Sequence, residues 1–146
     1  MREIFVRRGK RVDNRKWVYG NIVFTRSGRA FLLEGSFFSG ESHEGDFKHG
    51  EIYGTEVISE TVGQYTGLTD KNGRKIFEGD IEKTKYGRLC TVIWFSSNCF
   101  AGWDLKPILT RENLNNNSPS EYDLFLPENL EVIGNLFDNS ELLKGE

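Results

Sequence analysis

The pair Asn72-Gly73, inside residues 63–81, constrains this 146-residue chain more than any other feature. The stretch reads Gly-Gln-Tyr-Thr-Gly-Leu-Thr-Asp-Lys-Asn-Gly-Arg-Lys-Ile-Phe-Glu-Gly-Asp-Ile and carries Gly63, Gly67, Gly73 and Gly79. Asn-Gly between apolar anchors is a strong hairpin signal, because a two-residue type I′ turn needs φ > 0 at both central positions. Gly79 before Asp80 reads as a second sharp turn, with the Asp side chain bonding the backbone just ahead of it. A strand follows from Ile81. This much turn chemistry specifies a fold, but it names no reaction.

The rest of the chain reads as strands around these turns. Residues 4–6 read as a first short strand, and residues 7–16 as a polar, basic segment turning at Asp13-Asn14. Residues 17–25 read as one strand with a bulge or close approach at Gly20. Arg26-Ser27-Gly28 turns the chain, and residues 29–34 return antiparallel. Residues 51–58 are strand-like again. Beyond Ile81, residues 81–85 form a polar-faced strand, Tyr86-Gly87 a turn, and residues 89–95 a strand buried on most sides. Ser96-Ser97-Asn98 turns into a strand at 99–105, and residues 130–134 are the last strand. Asn139-Ser140 reads as the cap of one helical turn over 141–144. Eleven Phe, five Tyr and three Trp against one Met favour strands over helices. The expected fold is mainly β with at most short helices. Short strands at this spacing form a small barrel or sandwich, and closure removes the exposed edges.

Several classes of function find no support. The length suits one domain, with an elaborated N-terminal half over residues 1–60 and a second subregion over 61–146. No apolar run approaches the roughly 18 residues that span a bilayer, and the N-terminus has no signal-peptide core, so a soluble, cytoplasmic protein is expected. Cys90 and Cys99 form no Cys-x-x-Cys motif and are expected reduced, at strand positions that favour burial. His43 and His49 lie in a loop over residues 35–50 with Glu44 and Asp46, at a spacing that fits no metal-site template. Residues 106–120 read as an exposed loop. No nucleophile stands beside a base, no phosphate loop is present, and Glu78 and Asp80 flank a turn glycine. The expectation is therefore no catalytic residues, no metal, no cofactor and no small-molecule substrate.

Charge is more informative. Residues 1–30 hold nine Lys/Arg and two acids, net +7; the other 116 residues hold 10 and 20, net −10. Arg7, Arg8, Lys10, Arg11, Arg15 and Lys16 beside Trp17 and Tyr19 combine the cations and aromatics that neutralise phosphates and stack bases. Nucleic acid is the leading partner on this reading. A solvated strand edge guarded by Lys and Arg accounts for the same residues. The alternative function is a homo-oligomer, its basic N-terminal surface meeting the acidic C-terminal surface of the next copy. A second binding face is drawn from Tyr65, Thr66, Lys71, Trp94 and Trp103, with core packing as the competing role for Trp17, Trp94 and Trp103.

Gln64-Tyr65-Thr66-Gly67-Leu68, Asp70-Lys71-Asn72-Gly73, Ile76-Phe77-Glu78-Gly79-Asp80-Ile81 and Glu131-Val132-Ile133-Gly134-Asn135 resemble the YopX family. These are small proteins of phages and bacterial prophage regions. Arg7 to Asn14 and Trp17-Val18-Tyr19-Gly20 are similar to one version of the family's opening, while residues 35–50 and 106–120 match nothing recognisable. The resemblance implies a mostly β fold with an SH3-like barrel in the C-terminal half, here about residues 61–105 completed by the last strand, behind an N-terminal β-hairpin extension. It implies a cytoplasmic setting and an accessory phage role. It implies no established activity.

Overall fold

The computed structural model describes residues 6–34, 53–110 and 126–144; His43, His49 and most of residues 106–120 fall outside them. The described chain is mainly β, built of antiparallel strands and short 3₁₀ turns. It forms two compact units, Phe5–Val62 and Gly63–Glu146.

In the first unit, β1 (Arg7–Lys10) and β2 (Trp17–Gly20) make a hairpin. Strands β3 (Ile22–Phe24), β4 (Ala30–Glu34) and β5 (Tyr53–Val57) form a sheet in the order β3-β4-β5. The core is Ile22, Ala30, Leu32 and Val57, with Val18 and Val62 packed against it. Two expectations need correction. The first described strand is β1, in the segment read as polar and basic with its turn at Asp13-Asn14. Of the strand expected over 4–6, residues 4 and 5 lie outside the described residues and Val6 is in no strand. Strand β1 forms because Gly9 lets the backbone close on the core. A Cβ at Gly9 would lie 3.1 Å from Val57 Cγ2 and 3.3 Å from Ile22 Cδ1. Nor is 17–25 one strand, since it divides at Asn21 into β2 and β3. The close approach expected at Gly20 is present, with φ +148° and a Cβ position 2.9 Å from Leu32 Cδ1.

In the second unit, β6 (Gly63–Thr69) and β7 (Lys75–Phe77) form a hairpin. Strands β8 (Asp80–Lys83), β9 (Leu89–Ser96), β10 (Ala101–Pro107) and β11 (Glu131–Asn135) form a sheet ordered β10-β9-β8-β11. Among the described residues no sheet closes into a barrel. The core is Ile76, Cys90, Val92, Leu105, Leu130 and Val132, with Trp103 packed on it.

The Asn72-Gly73 turn differs from the expected type I′. Gly73 has φ +79°, but Asn72 is not in the left-handed region. Instead Gly73 N–H donates to Asp70 O (3.0 Å) and Asp70 N–H to Arg74 O (2.8 Å). That is a type I turn followed by a left-handed glycine, the three-residue hairpin loop. The same construction recurs twice. Gly28 N–H bonds Thr25 O while Thr25 N–H bonds Arg29 O, and Gly87 N–H bonds Thr84 O while Thr84 N–H bonds Arg88 O. Gly28 and Gly87 have φ +83° and +82°. In each loop the first residue's side-chain oxygen accepts the N–H four residues on, at 3.1 Å for Thr25, 2.9 Å for Asp70 and 3.2 Å for Thr84.

The Asp70 loop is also fastened to the C-terminal strand. Asp70 Oδ1 accepts Asn72 N–H (2.8 Å) and Arg74 N–H (2.9 Å), and Oδ2 accepts Val132 N–H (2.9 Å). Lys71 N–H donates to Leu130 O, and Lys71 Nζ pairs with Glu131 Oε2 at 2.9 Å. At the next turn, Gly79 (φ +84°) donates to Val92 O and accepts from Leu136 N–H, while Asp80 Oδ2 accepts Phe77 N–H at 2.8 Å. This is the expected Asp bond to the backbone just ahead of it.

Three smaller readings change. Strand β8 is not polar-faced toward solvent, since Glu82 is fully buried opposite Cys90 and Val132. Cys99 lies in an exposed turn rather than a strand, and the two cysteines form no disulfide. A single 3₁₀ turn does follow Asn139, over Ser140–Leu143, but the Asn139 side chain does not cap it. Its Oδ1 accepts Asn135 N–H instead, at 3.1 Å.

Candidate functional site: a cationic hairpin face

Successive side chains of a strand point to opposite faces. The register Arg8↔Tyr19 and Lys10↔Trp17 therefore puts Arg8, Lys10, Trp17 and Tyr19 on one face of the β1–β2 hairpin. Gly9 and Val18, also opposed, take the core-facing side. The Arg8 guanidinium carbon lies 4.7 Å from the Trp17 ring centroid, and Lys10 Nζ lies 5.4 Å from it. Such contacts contribute about 0.5–2 kcal/mol each, more as the cation is desolvated. Arg8 is buried and Lys10 and Trp17 are half-buried, whereas Tyr19 is 55% exposed. Arg7 faces the other way and donates from Nη1 to Ile22 O at 2.8 Å.

The loop joining the strands carries the remaining cations. Arg15 N–H bonds Arg11 O, Lys16 N–H bonds Asn14 Oδ1, and Arg15 adopts φ +61°, rare for a residue with a Cβ. Arg11 forms a two-pronged pair with Asp13, Nε to Oδ1 at 2.9 Å and Nη2 to Oδ2 at 2.6 Å. Hydrogen bonding within this pair raises the Arg11 pKa and lowers that of Asp13. The pair is open to water, so its contribution to stability is small. Arg15 and Lys16 are exposed. Of the seven residues named from sequence, Arg8, Lys10 and Trp17 come together as one stack. Arg15 and Lys16 lie at the exposed end, and Arg7 and Arg11 are tied to Ile22 and Asp13.

The second named set is not one face. Tyr65 is buried with its ring 5.4 Å from Phe77 and Lys75 Nζ 5.3 Å from it. Thr66 Oγ1 donates to Ile76 O at 2.8 Å, and Lys71 pairs with Glu131. Only Trp94 and Trp103 meet, edge to face at 5.0 Å. Trp103 is half-buried on the core, and Trp94 is 53% exposed.

Sequence reasoning missed a buried acidic group. Asp70, Asp80 and Glu82 are all buried, and neither carboxyl oxygen of Glu82 has a hydrogen-bond partner. Burial first, then the neighbouring Asp80 and Asp70, push the Glu82 pKa up to about 8 against the opposing pull of Arg74. Burial alone raises the Asp70 pKa too, but the N–H groups of Val132, Arg74 and Asn72 outweigh it and hold that pKa below the ordinary value. The available signal was Asp80-Ile81-Glu82 at period two, which puts both acids on one side of a strand. Among the described residues no group of three or more His, Cys, Asp or Glu is arranged to hold a metal ion. Nor is any helix there long and apolar enough to cross a membrane.

No curated protein matches the chain. The crystal structure of protein EF1440 from Enterococcus faecalis is similar in fold, with a TM-score of 0.52 at 21% identity, over 97% of this chain and 99% of that one. The model of the YopX protein family matches residues 8–144, taking in both the cationic hairpin and the strand fastened by Asp70. The chain belongs to the YopX family.

Proposed function

We propose that this chain is a non-catalytic accessory protein of a phage or prophage, acting in the host cytoplasm by binding nucleic acid through the β1–β2 face. The C-terminal half takes the role of an SH3-like scaffold in this reading. Support comes chiefly from one arrangement. Arg8 and Lys10 stack on Trp17 while the exposed Tyr19 ring shares their face, with Arg15 and Lys16 at its open end. Buried Arg8 supports the Trp17 ring, while the accessible Lys10, Arg15 and Lys16 can neutralise phosphates beside a ring able to stack a base. That combination is what sequence-tolerant binding of a single strand requires. The net +7 of residues 1–30 favours approach of a polyanion.

The test is fluorescence anisotropy of labelled single- and double-stranded oligonucleotides titrated over a salt series. Binding to the single strand should weaken linearly in log salt. Arg15→Ala with Lys16→Ala should reduce the slope by about 0.7 per lost phosphate contact. Tyr19→Ala should cost about 1–3 kcal/mol of affinity. Arg8 and Lys10 are poor test sites because they also pack on Trp17. No binding at low salt, or binding indifferent to all three substitutions, removes the reading. The homo-oligomer joined through basic N-terminal and acidic C-terminal surfaces is the alternative, and it should lose mass rather than ligand as salt rises.

A further inference from the structure

Strand β10 ends its sheet, and among the described residues nothing pairs with its outer edge. The direction of its peptide groups follows from the β9–β10 ladder. Ser97 N–H to Phe100 O (2.7 Å) and Ile108 N–H to Leu89 O (3.0 Å) bracket that ladder. Bonded pairs recur every second residue in an antiparallel pair. Gly102, Asp104 and Lys106 therefore bond toward β9, and the peptide groups of Ala101, Trp103 and Leu105 point outward. The Leu105 N–H agrees, since it donates to the carboxylate of its neighbour Asp104 at 2.8 Å rather than to β9. Pro107 offers only its carbonyl.

We propose that this edge pairs with the same edge of a second copy, antiparallel and centred on Leu105. The charges select that register. With Leu105 opposite Leu105 of the second copy, Asp104 faces Lys106 twice across the two-fold axis. Centring on Asp104 sets two acids against each other, and centring on Lys106 sets two cations. Centring on Trp103 places Asp104 opposite Gly102 and leaves Lys106 without an opposite charge. In the chosen register Leu105 exchanges two N–H···O bonds with its counterpart, and each Trp103 N–H meets a Pro107 carbonyl. Asp104 releases the Leu105 N–H and turns to Lys106. The contact is isologous, as a two-fold dimer requires, and continues the sheet across both copies. It uses none of the residues of the basic N-terminal surface.

The test is sedimentation velocity over a wide concentration range on the full chain and three variants. Wild type should pass from monomer to dimer. Asp104→Lys and Lys106→Asp each replace two opposite-charge contacts with two like-charge ones, and each should weaken the dimer on the order of tenfold. The double variant Asp104→Lys with Lys106→Asp should restore it. Circular dichroism and tryptophan fluorescence check that each variant keeps the fold. Amide exchange on wild type reads the register without mutation. The Trp103 and Leu105 amides should slow as concentration rises, while those of Asp104 and Lys106 stay unchanged. A wild type that remains monomeric overturns the proposal. So does a dimer whose affinity neither single variant moves, or in which the Trp103 and Leu105 amides gain no protection.

Discussion

At Glu82, packing and ionisation pull in opposite directions. The side chain lies on the core face between Cys90 and Val132, where an ionised carboxylate without a partner is costly. With the folded-state pKa at about 8 against an ordinary 4.5, the folded chain keeps a proton that the unfolded chain has released between those values. Stability is then fully present below the ordinary value and falls as pH rises, by up to about 1.4 kcal/mol per pH unit, levelling off above the folded-state value. Urea midpoints taken from about pH 5 to about pH 9 should show that decline, and Glu82→Gln should flatten it. A decline unchanged by Gln would place the titrating group elsewhere. Asp70 has the opposite sign. Its lowered pKa gives stability that is present above the ordinary value of 3.8 and is lost as pH falls through the folded value. Asp70→Ala orphans the N–H groups of Asn72, Arg74 and Val132, and should cost about 3 kcal/mol or more in chemical denaturation. Asp70→Asn keeps one acceptor oxygen and should fall between Ala and wild type.

Among elements, the hairpin loops decide the path of the chain. Thr25 to Arg29, Asp70 to Arg74 and Thr84 to Arg88 share an oxygen-bearing first residue, a left-handed glycine fourth and an arginine fifth. Nothing lies within 4 Å of a Cβ built at Gly73, so the cost of a side chain there is conformational rather than steric. Gly73→Val should lose about 2 kcal/mol, and Gly73→Asn clearly less, because Asn tolerates the left-handed region. Equal melting temperatures for the two variants would contradict the turn geometry. Gly63 is different, since a Cβ there would lie 2.6 Å from the Glu78 carbonyl oxygen. Gly63→Ala must therefore move backbone. Turns and strand chemistry were legible because both are local, so the hairpins around Gly28, Gly73 and Gly87 could be read from sequence. The type of the Gly73 turn was misread, because Asn-Gly satisfies a two-residue loop and a three-residue loop alike. Contacts between distant residues left no local trace. The Asp70 carboxylate reaches Val132, 62 positions away, and the burial of Glu82 depends on strands supplied by both sides of the sheet. For the same reason sequence could group Tyr65, Thr66 and Lys71 with Trp94 and Trp103, although the fold spends the first three on Phe77, Ile76 and Glu131.

Across the whole molecule, the charge is divided so unevenly that salt separates the ways this chain could engage a partner. Residues 1–30 carry +7 and the remainder −10. Head-to-tail assembly through those ends is an interaction between exposed charges, which added salt screens over a Debye length of about 10 Å at 0.1 M. Nucleic-acid binding releases counterions and weakens with a slope set by the number of phosphates contacted. Pairing of two β10 edges rests mainly on backbone hydrogen bonds, with Asp104 and Lys106 choosing the register, so its dependence on salt is shallow. The mass of the protein alone, followed from about 0.05 M to about 0.5 M salt, should therefore change little while affinity for an oligonucleotide falls by one or more orders of magnitude. A mass that collapses in step with salt would assign association to the charged ends, and Asp104→Lys would then leave it untouched. A mass that holds in salt but collapses with Asp104→Lys assigns it to the strand edge, leaving the cationic hairpin to its own ligand.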